Sequence, residues 1–231
     1  MQIYPKSKES GVQNMATDWW LFETADKPSF RHYKWTSSET SFGYGQDWKW
    51  VEEVTSLSVS ELIRRPTGGG IVRHGQDWTY CLVLPREHKS FKIPPLDLYK
   101  AVHGCVGQAL AKDGFKTKLQ PCPEKKGKII PGDCFLEPVG WDLMNYQSTK
   151  KIAGAAIKRS RTGLLLQGTI EIDHDLNINI QAFENNFIEY LALVISEPVE
   201  YVEWPENFFH ERDKICEQYS DLEWKKNRVH H

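Results

Sequence analysis

The residues with the clearest chemical potential form a short run that begins with Arg64 and Arg65 and ends in three consecutive glycines. Gly68, Gly69 and Gly70 carry no Cβ, so a ligand can lie directly against their main chain and accept hydrogen bonds from its N–H groups. The two guanidinium groups can pair with a carboxylate or a phosphate. The run predicts the floor or wall of a pocket between two strands, although an ordinary glycine-rich turn has the same composition.

A second run places a lysine before a series of small residues. Lys151 is followed by Ile-Ala-Gly-Ala-Ala, which includes Gly154 and Ala155, in a stretch that otherwise reads as a strand. Small residues in a strand leave room for a ligand. A lysine at the rim of such a groove can hold a carbonyl oxygen or a phosphate by its charge. A solvated lysine at a strand edge is the alternative interpretation.

The five cysteines are Cys81, Cys105, Cys122, Cys134 and Cys216. Their number is odd and no C-x-x-C pattern occurs, which argues against a disulfide framework or a structural zinc site. The first two fall within apolar strand and helix patterns and are expected to be small core residues. Cys122 and Cys134 lie near glycine and proline, which favours exposed and reactive thiols.

The elements that must position these residues can be recognised from hydrophobic periodicity and helix-stop signals. Helices are predicted over 12–24, 96–112, 182–194 and 207–219, and strands over 30–35, 79–84, 115–119 and 163–173. Residues 41–45 are predicted to form a glycine-punctuated turn, and 121–133 a loop that is a candidate lid. Because strands and helices do not alternate regularly, we expect an α+β fold with a mixed, largely antiparallel sheet flanked by helices.

Length and charge narrow the function classes. The chain has 231 residues, 40% of them hydrophobic, and a formal net charge of −2. We expect a single catalytic domain over 1–231, with 197–231 as a candidate C-terminal helical extension. The charge balance gives no argument for a nucleic-acid or membrane partner. Without an apolar stretch of about 20 residues or a signal-peptide core, a cytoplasmic location is predicted.

In this order and spacing, the motifs resemble those of the lipoate-protein ligase and octanoyltransferase family, whose catalytic domain is related to that of biotin protein ligase. The run from Arg64 to His74 matches an Arg-Arg-x-[Ser/Thr]-Gly-Gly signature that ends in histidine. The segment from Lys151 to Ala156 matches the family's Lys-x-[Ser/Ala]-Gly-[Ser/Ala]-[Ala/Gly] motif. The resemblance covers nearly the whole chain and is nearest in pattern to the cysteine-dependent octanoyltransferases.

The resemblance implies a lipoyl or octanoyl chain in an apolar tunnel, with the glycine run beside it and Lys151 at its activated carbonyl. The acceptor is then a lysine of a lipoyl-carrier domain, in a 2-oxoacid dehydrogenase or the glycine-cleavage H protein. No metal ligand is predicted. The implied substrate-binding positions are Arg64, Arg65, Gly68, Gly69, Gly70, His74, Gly154 and Ala155.

The family divides by how the acyl group is activated. Transferases take octanoate from acyl carrier protein through a cysteine thioester and need no cofactor, whereas ligases use ATP and Mg²⁺ to make an acyl-adenylate. Cys134 stands in Cys-Phe-x-x-Pro-x-x-Trp-Asp-Leu, similar to the region that carries the transferase nucleophile. Gly75 replaces the aspartate usual in ligases, and the chain ends without room for the full accessory domain of many ligases.

These features favour an acyltransferase of lipoate assembly that works through a Cys134 thioester. An ATP-dependent lipoate-protein ligase remains the second hypothesis, because some ligases with a separately encoded accessory subunit carry the same cysteine pattern. A catalytically silent lipoyl-binding protein is the third. The presence of Lys151, His74 and the glycine run argues against that third hypothesis.

Overall fold

Twelve strands and six α-helices occupy the part of the chain that this computed structural model describes, residues 1–122, 132, 139–171 and 178–229. The strands are β1 (Gln2–Ile3), β2 (Ser7–Glu9), β3 (Ser29–Trp35), β4 (Glu39–Phe42), β5 (Leu62–Arg64), β6 (Val72–His74), β7 (Trp78–Pro85), β8 (Thr117–Leu119), β9 (Leu143–Asn145), β10 (Lys151–Arg159), β11 (Gly163–Ile170) and β12 (Glu200–Tyr201). The helices are α1 (Gly11–Thr24), α2 (Trp48–Thr55), α3 (Pro95–Lys112), α4 (Ile180–Ile195), α5 (Phe208–Ser220) and α6 (Leu222–Asn227), with a short 3-10 helix at Lys89–Lys92.

The main sheet has the strand order β12-β1-β3-β7-β11-β10-β9-β8, and β2 adds to β3. Its central pairs from β3 through β8 are antiparallel, whereas the pairs that β3 makes with β1 and β2 are parallel. A second small sheet has the order β5-β4-β6. The predicted α+β architecture with a mixed, largely antiparallel sheet is therefore confirmed.

Helix α1 forms where the sequence supplies both a cap and an apolar face. The side chain of Ser10 accepts a hydrogen bond from the Gln13 backbone N–H, and the Gln13 side chain accepts one from the Ser10 N–H. This reciprocal pair satisfies two N–H groups that a helix start leaves without partners. Met15 and Ala16 on this helix are buried.

Both faces of the main sheet are covered, as the alternation along β7 shows. Tyr80, Leu82 and Leu84 pack into the core beneath α3 and α4, while Cys81 and Val83 pack into the core beneath α1, α5 and α6. Successive side chains of a strand point to opposite faces, so a fully buried strand reads as a continuous apolar run. Cys81 and Cys105 are both core residues, as the sequence predicts.

The predicted helices and strands are present, with ends that match the prediction or differ from it by up to three residues. Two local predictions need correction or addition. Ser41 and Phe42 are not part of a turn but the buried end of β4, which pairs with both β5 and β6; the turn begins at Gly43. Helix α2 is an element that the sequence analysis does not predict, and Val51 is the buried residue among its eight.

Two helices, α5 and α6, occupy the segment predicted as a C-terminal extension. Helix α5 packs against α1, and Trp224 of α6 is fully buried. The division of the chain into one catalytic domain and an extension stays a prediction. Among the described residues, no helix combines the length and apolar character that crossing a bilayer requires.

Candidate active site

A cavity of about 460 Å³ opens where β10 extends beyond its pairing with β9, between α1 and the N-terminal end of α3. One wall is a row of opposed residues from four adjacent strands: Gly154, Thr169, Thr79 and Tyr33. Apolar surface dominates the lining. The volume falls within the range of about 300–1,000 Å³ that is usual for small-molecule sites. The cavity can therefore hold an apolar chain with a few polar groups around it.

The predicted glycine run forms part of this cavity. Gly68 and Gly69 line it, whereas Gly70 is buried behind it and accepts a hydrogen bond from Arg65 on its carbonyl oxygen at 2.7 Å. Gly69 has φ +86°, in the left-handed region that favours glycine. A Cβ added at Gly68 would meet no atom of the described part of the chain within 4 Å. The backbone conformation at Gly69 therefore favours glycine, whereas the absence of a side chain at Gly68 leaves space that a ligand can occupy.

Arg65 holds the glycine run in place and links it to His74. Its guanidinium donates to the carbonyl oxygens of Gly68 and Gly70 and, at 2.7 Å, to the Ser41 hydroxyl. Ser41 Oγ lies 2.6 Å from His74 Nε2. Arg65 and His74 both line the cavity. The prediction that they help to shape the pocket agrees with this placement, although the ligand they would face remains untested.

His74 is held by Asp77 on its other side. His74 Nδ1 lies 2.7 Å from Asp77 Oδ2, and the Trp35 ring stacks on the imidazole with a centroid distance of 3.8 Å. Burial lowers the pKa of His74, although Asp77 opposes this shift. The neutral imidazole then carries its proton on Nδ1, which donates to Asp77, and accepts from Ser41 on Nε2. Ser41 is fully buried and does not line the cavity, so this Ser-His-Asp chain positions the histidine and does not present a serine nucleophile.

Lys151 reaches the same cavity because β10 is irregular at its start. The register of β10 against β9 shifts between Lys151 and Ala153, and such a bulge can redirect a side chain. Lys151 is only 5% exposed, so it is not the solvated surface charge of the alternative interpretation. A Cβ at Gly154 would lie 2.5 Å from Lys151 Nζ. The glycine of the lysine motif therefore makes room for the lysine itself, and it also lines the cavity beside Ala155.

An aspartate and a tyrosine that the sequence analysis did not select complete this part of the site. Asp142 Oδ2 lies 2.7 Å from Lys151 Nζ, and both side chains are buried. The Tyr99 hydroxyl donates to Asp142 Oδ1 and accepts a hydrogen bond from the Ala155 N–H at 3.2 Å. Asp142 stands in the Trp-Asp-Leu part of the cysteine motif, but nothing in the sequence indicates that it pairs with Lys151.

Arg64 does not lie in the cavity lining, in contrast to its neighbour. It is fully buried and donates to the carbonyl oxygens of Tyr44 at 2.6 Å, Gln46 at 3.0 Å and Lys225 at 2.7 Å. Burial lowers the pKa of Arg64 to about 10, which leaves it charged near neutral pH. The Trp224 indole N–H returns a hydrogen bond to the Arg64 carbonyl. Arg64 thus connects the 44–46 turn to α6, and the substrate-binding prediction for it gains no geometric support.

The glycine run is anchored to α1 by a buried polar chain. Thr67 donates to Gln167 Oε1 at 2.7 Å, and Gln167 Nε2 donates to Asp18 at 2.6 Å. Asp18 also pairs with Arg31 at 2.7 Å and accepts from the Tyr33 hydroxyl at 3.0 Å. Buried polar groups are costly unless their hydrogen bonds are made, so this chain fixes the position of the run above the sheet.

The predicted nucleophile Cys134 lies outside the described residues, as does most of the candidate lid. The nearest described residues on either side of Cys134 contact the chain after the glycine run or line the cavity. Gly132 accepts a hydrogen bond from the Ile71 N–H at 2.9 Å, directly after the glycine run, and Val139 lines the cavity. The role of Cys134 therefore remains a prediction from the sequence motif.

Gly68→Val should weaken ligand binding while preserving the fold, because no atom of the described residues lies within 4 Å of the position its Cβ would take. Filling an occupied site costs about 1–3 kcal/mol, which corresponds to a loss of roughly tenfold to hundredfold in affinity for octanoate. Gly69→Val should instead lower the melting temperature, because a β-branched residue strongly disfavours positive φ. Calorimetric titration and thermal unfolding measure the two effects.

The exposed Gly45 supplies a matched control for that comparison. A Cβ there also meets no atom within 4 Å, and the residue does not line the cavity. Gly45→Val should leave octanoate affinity unchanged. Equal affinities for the Gly68→Val and Gly45→Val proteins would show that no ligand passes over the glycine run.

The sequence of this chain is similar to that of known octanoyltransferases. The chain is 27% identical over 182 residues to "Octanoyltransferase LipM" of Brevibacillus brevis, an alignment that covers 73% of this chain and 64% of that relative. The chain thus spans slightly less than two thirds of the relative's length.

Solved structures share the fold at lower identity. Protein Ta0514 of T. acidophilum, solved with bound lipoic acid, superposes with a TM-score of 0.74 at 17% identity and 97% coverage of both chains. A second neighbour comes from the structural analysis of an archaeal bi-partite lipoate protein ligase and its E2 lipoyl domain from Thermoplasma acidophilum. It superposes with a TM-score of 0.70 at 15% identity, and the match covers 100% of this chain and 97% of the other. The family model of the lipoyl protein ligase A/B catalytic domain matches residues 10–197. A match over most of the chain, together with this fold, shows that the protein belongs to the lipoyl protein ligase A/B catalytic domain family.

Proposed function

We propose that this protein transfers an octanoyl or lipoyl group to a lysine of a lipoyl-carrier domain, by way of a thioester on Cys134. The observation that carries the proposal is the apolar cavity, whose lining includes both the glycine run and the buried Lys151. An acyl chain fits the apolar lining, and a cation beside the cavity can act on its carbonyl. The name of the Brevibacillus brevis relative supports octanoyl transfer over other acyl chemistry.

In the first step, the Cys134 thiolate attacks the thioester carbonyl of an acyl carrier protein. A carbon–sulfur bond to Cys134 forms, the bond to the carrier sulfur breaks, and the carrier thiolate takes up a proton. A thiolate is both a good nucleophile and a good leaving group, which suits a group that must be loaded and then passed on. Lys151 would stabilise the oxyanion of the tetrahedral intermediate by its charge.

In the second step, the amine of the acceptor lysine attacks the Cys134 thioester. The amide bond forms, the thiolate of Cys134 leaves, and a proton lost by the attacking nitrogen must reach the sulfur. Lys151 can pass this proton on, by accepting it as another of its own protons moves to the leaving thiolate. The lysine is then an ammonium ion before and after each turnover.

The proposed transfer reaction requires an acyl donor and an acceptor protein. We propose a small lipoyl-carrier domain as acceptor, of the kind found in 2-oxoacid dehydrogenases or the glycine-cleavage H protein, and an acyl carrier protein as donor. The archaeal neighbour was studied together with an E2 lipoyl domain, which supports this class of acceptor. We further propose that transfer requires neither ATP nor Mg²⁺, because a thioester donor is already activated.

Mass spectrometry of the intact protein tests this proposal. After incubation with octanoyl-acyl carrier protein in the absence of ATP, we expect one octanoyl adduct that hydroxylamine removes and that disappears when a lipoyl-carrier domain is added. Lipoylation that requires ATP, Mg²⁺ and free lipoate, without an adduct, would establish the ligase alternative. Tight binding of octanoate with neither reaction would identify a silent lipoyl-binding protein.

A further inference from the structure

The buried charge pair beside the cavity has a supporting group on α3. We propose that Asp142, oriented by Tyr99, is a positioning residue that keeps Lys151 in the cavity as an ammonium ion. For the transfer reaction this inference rests on the proposed function, but the charge state of Lys151 can be measured without any acyl donor.

Burial sets the energetic problem. Asp142 is fully buried and Lys151 is 5% exposed. An isolated charge in such a place is strongly unfavourable, so a buried lysine tends to lose its proton unless an anion is close. Asp142 Oδ2 is 2.7 Å from Lys151 Nζ, which is the length of a charge-assisted hydrogen bond. The carboxylate therefore offsets the desolvation of the ammonium group.

Asp142 must itself remain charged for this to work, and three donors surround it. The Val139 N–H donates to Oδ2 at 2.7 Å, Lys151 donates to the same oxygen, and the Tyr99 hydroxyl donates to Oδ1. Hydrogen bonds to the charged form of a carboxyl group favour that form. Both oxygens of Asp142 are thus engaged, which also fixes the direction of the carboxylate towards Lys151.

Tyr99 has a single hydroxyl hydrogen, and the neighbouring backbone directs it. Because the Ala155 N–H donates to the Tyr99 oxygen at 3.2 Å, the tyrosine hydrogen is available to Asp142. Burial raises the pKa of Tyr99 well above its ordinary value, and the Asp142 charge adds to the shift. Tyr99 therefore stays a donor throughout the neutral and mildly alkaline range. It connects the strand that carries the small residues to the carboxylate.

Three other titratable side chains lie near the pair in the described part of the chain. His103 of α3 donates to the Trp141 carbonyl oxygen at 2.7 Å, and burial lowers its pKa to about 4, so it is neutral near pH 7. Lys100 lies over the Trp141 ring, 4.3 Å from its centroid. Next to the pair in sequence, Lys150 forms an ion pair with Glu171 at 3.4 Å.

Competitive labelling of amines with acetic anhydride at pH 7, read for Lys151 by peptide mass spectrometry, reports on its charge state. In the unaltered protein Lys151 should be labelled slowly, because its buried ammonium group donates to Asp142. In Asp142→Asn, the labelling rate should increase at least about tenfold, because the buried ammonium group loses its partner anion.

Two tyrosine variants keep the test decisive even if Asp142→Asn does not fold. Tyr99→Phe removes one donor from Asp142 and should raise the labelling rate of Lys151 about threefold or more. Tyr33→Phe removes a similar buried hydrogen bond, from Tyr33 to Asp18, and should leave Lys151 labelling unchanged. Equal labelling rates in the two variants, or an unchanged rate in a folded Asp142→Asn protein, would overturn the inference, whether or not the chain transfers octanoate.

Discussion

Replacement of Lys151 with methionine should reduce acyl transfer to the carrier lysine by about hundredfold or more. The ammonium group is a buried cation of the cavity lining, and loss of one stabilising group at a developing oxyanion costs about this much. Methionine retains most of the side-chain volume, so octanoate should still bind. Transfer rates under saturating acyl donor, with octanoate affinity measured separately, distinguish the two effects.

This variant leaves Asp142 buried without its cation, which is itself destabilising. Breaking a buried ion pair by removing one partner typically costs about 3–5 kcal/mol, whereas removing both partners can be nearly neutral. The double variant Lys151→Met with Asp142→Asn should therefore recover much of the lost melting temperature and remain inactive. Recovery of transfer in the double variant would show that Lys151 takes no part in the mechanism, because the transfer rate would then depend on the stability of the protein and not on the ammonium charge.

The arginine pair shows what a sequence motif can and cannot specify. The motif correctly selects a cavity-forming run, but it treats Arg64 and Arg65 alike. Neighbouring residues in an extended segment point in opposite directions, so one guanidinium faces the cavity wall and the other turns towards α6. The carbonyl oxygens that receive Arg64 come from residues about 20 and 160 positions away in sequence. The alternation of side chains along an extended segment predicts that the two arginines point in different directions. The tertiary structure decides which of them lines the cavity.

The positions that the sequence identified best are those whose reason is local. Gly69 needs positive φ, and Gly154 leaves space for a lysine three residues earlier; both constraints act within a few residues. Tyr99 and Asp142 are different, because their role exists only where a helix, a strand start and a loop meet. A single tyrosine on an apolar helix face is indistinguishable in sequence from an ordinary core residue. The fold class, by contrast, follows from element order alone.

The second large effect concerns activation. Cys134→Ala should form no octanoyl adduct and should lose essentially all transfer from octanoyl-acyl carrier protein, because the nucleophile that holds the acyl group is absent. Cys134→Ser should form at most a slow oxygen ester, since a serine hydroxyl is not ionised near neutral pH as a thiol partly is. Adduct mass and single-turnover transfer measure both variants.

The other thiols provide the controls for that experiment. Burial raises the pKa of Cys81 well above its ordinary value and that of Cys105 to about 12, so neither supplies a thiolate near pH 7. Cys122 is exposed, which makes Cys122→Ala the matched control, and that protein should keep both adduct and transfer. If Cys134→Ala lipoylates a carrier domain with ATP and Mg²⁺, the chain activates its acyl group as an adenylate. Lys151 and the glycine run would retain their roles in that case, because an acyl-adenylate presents the same carbonyl to the same cavity.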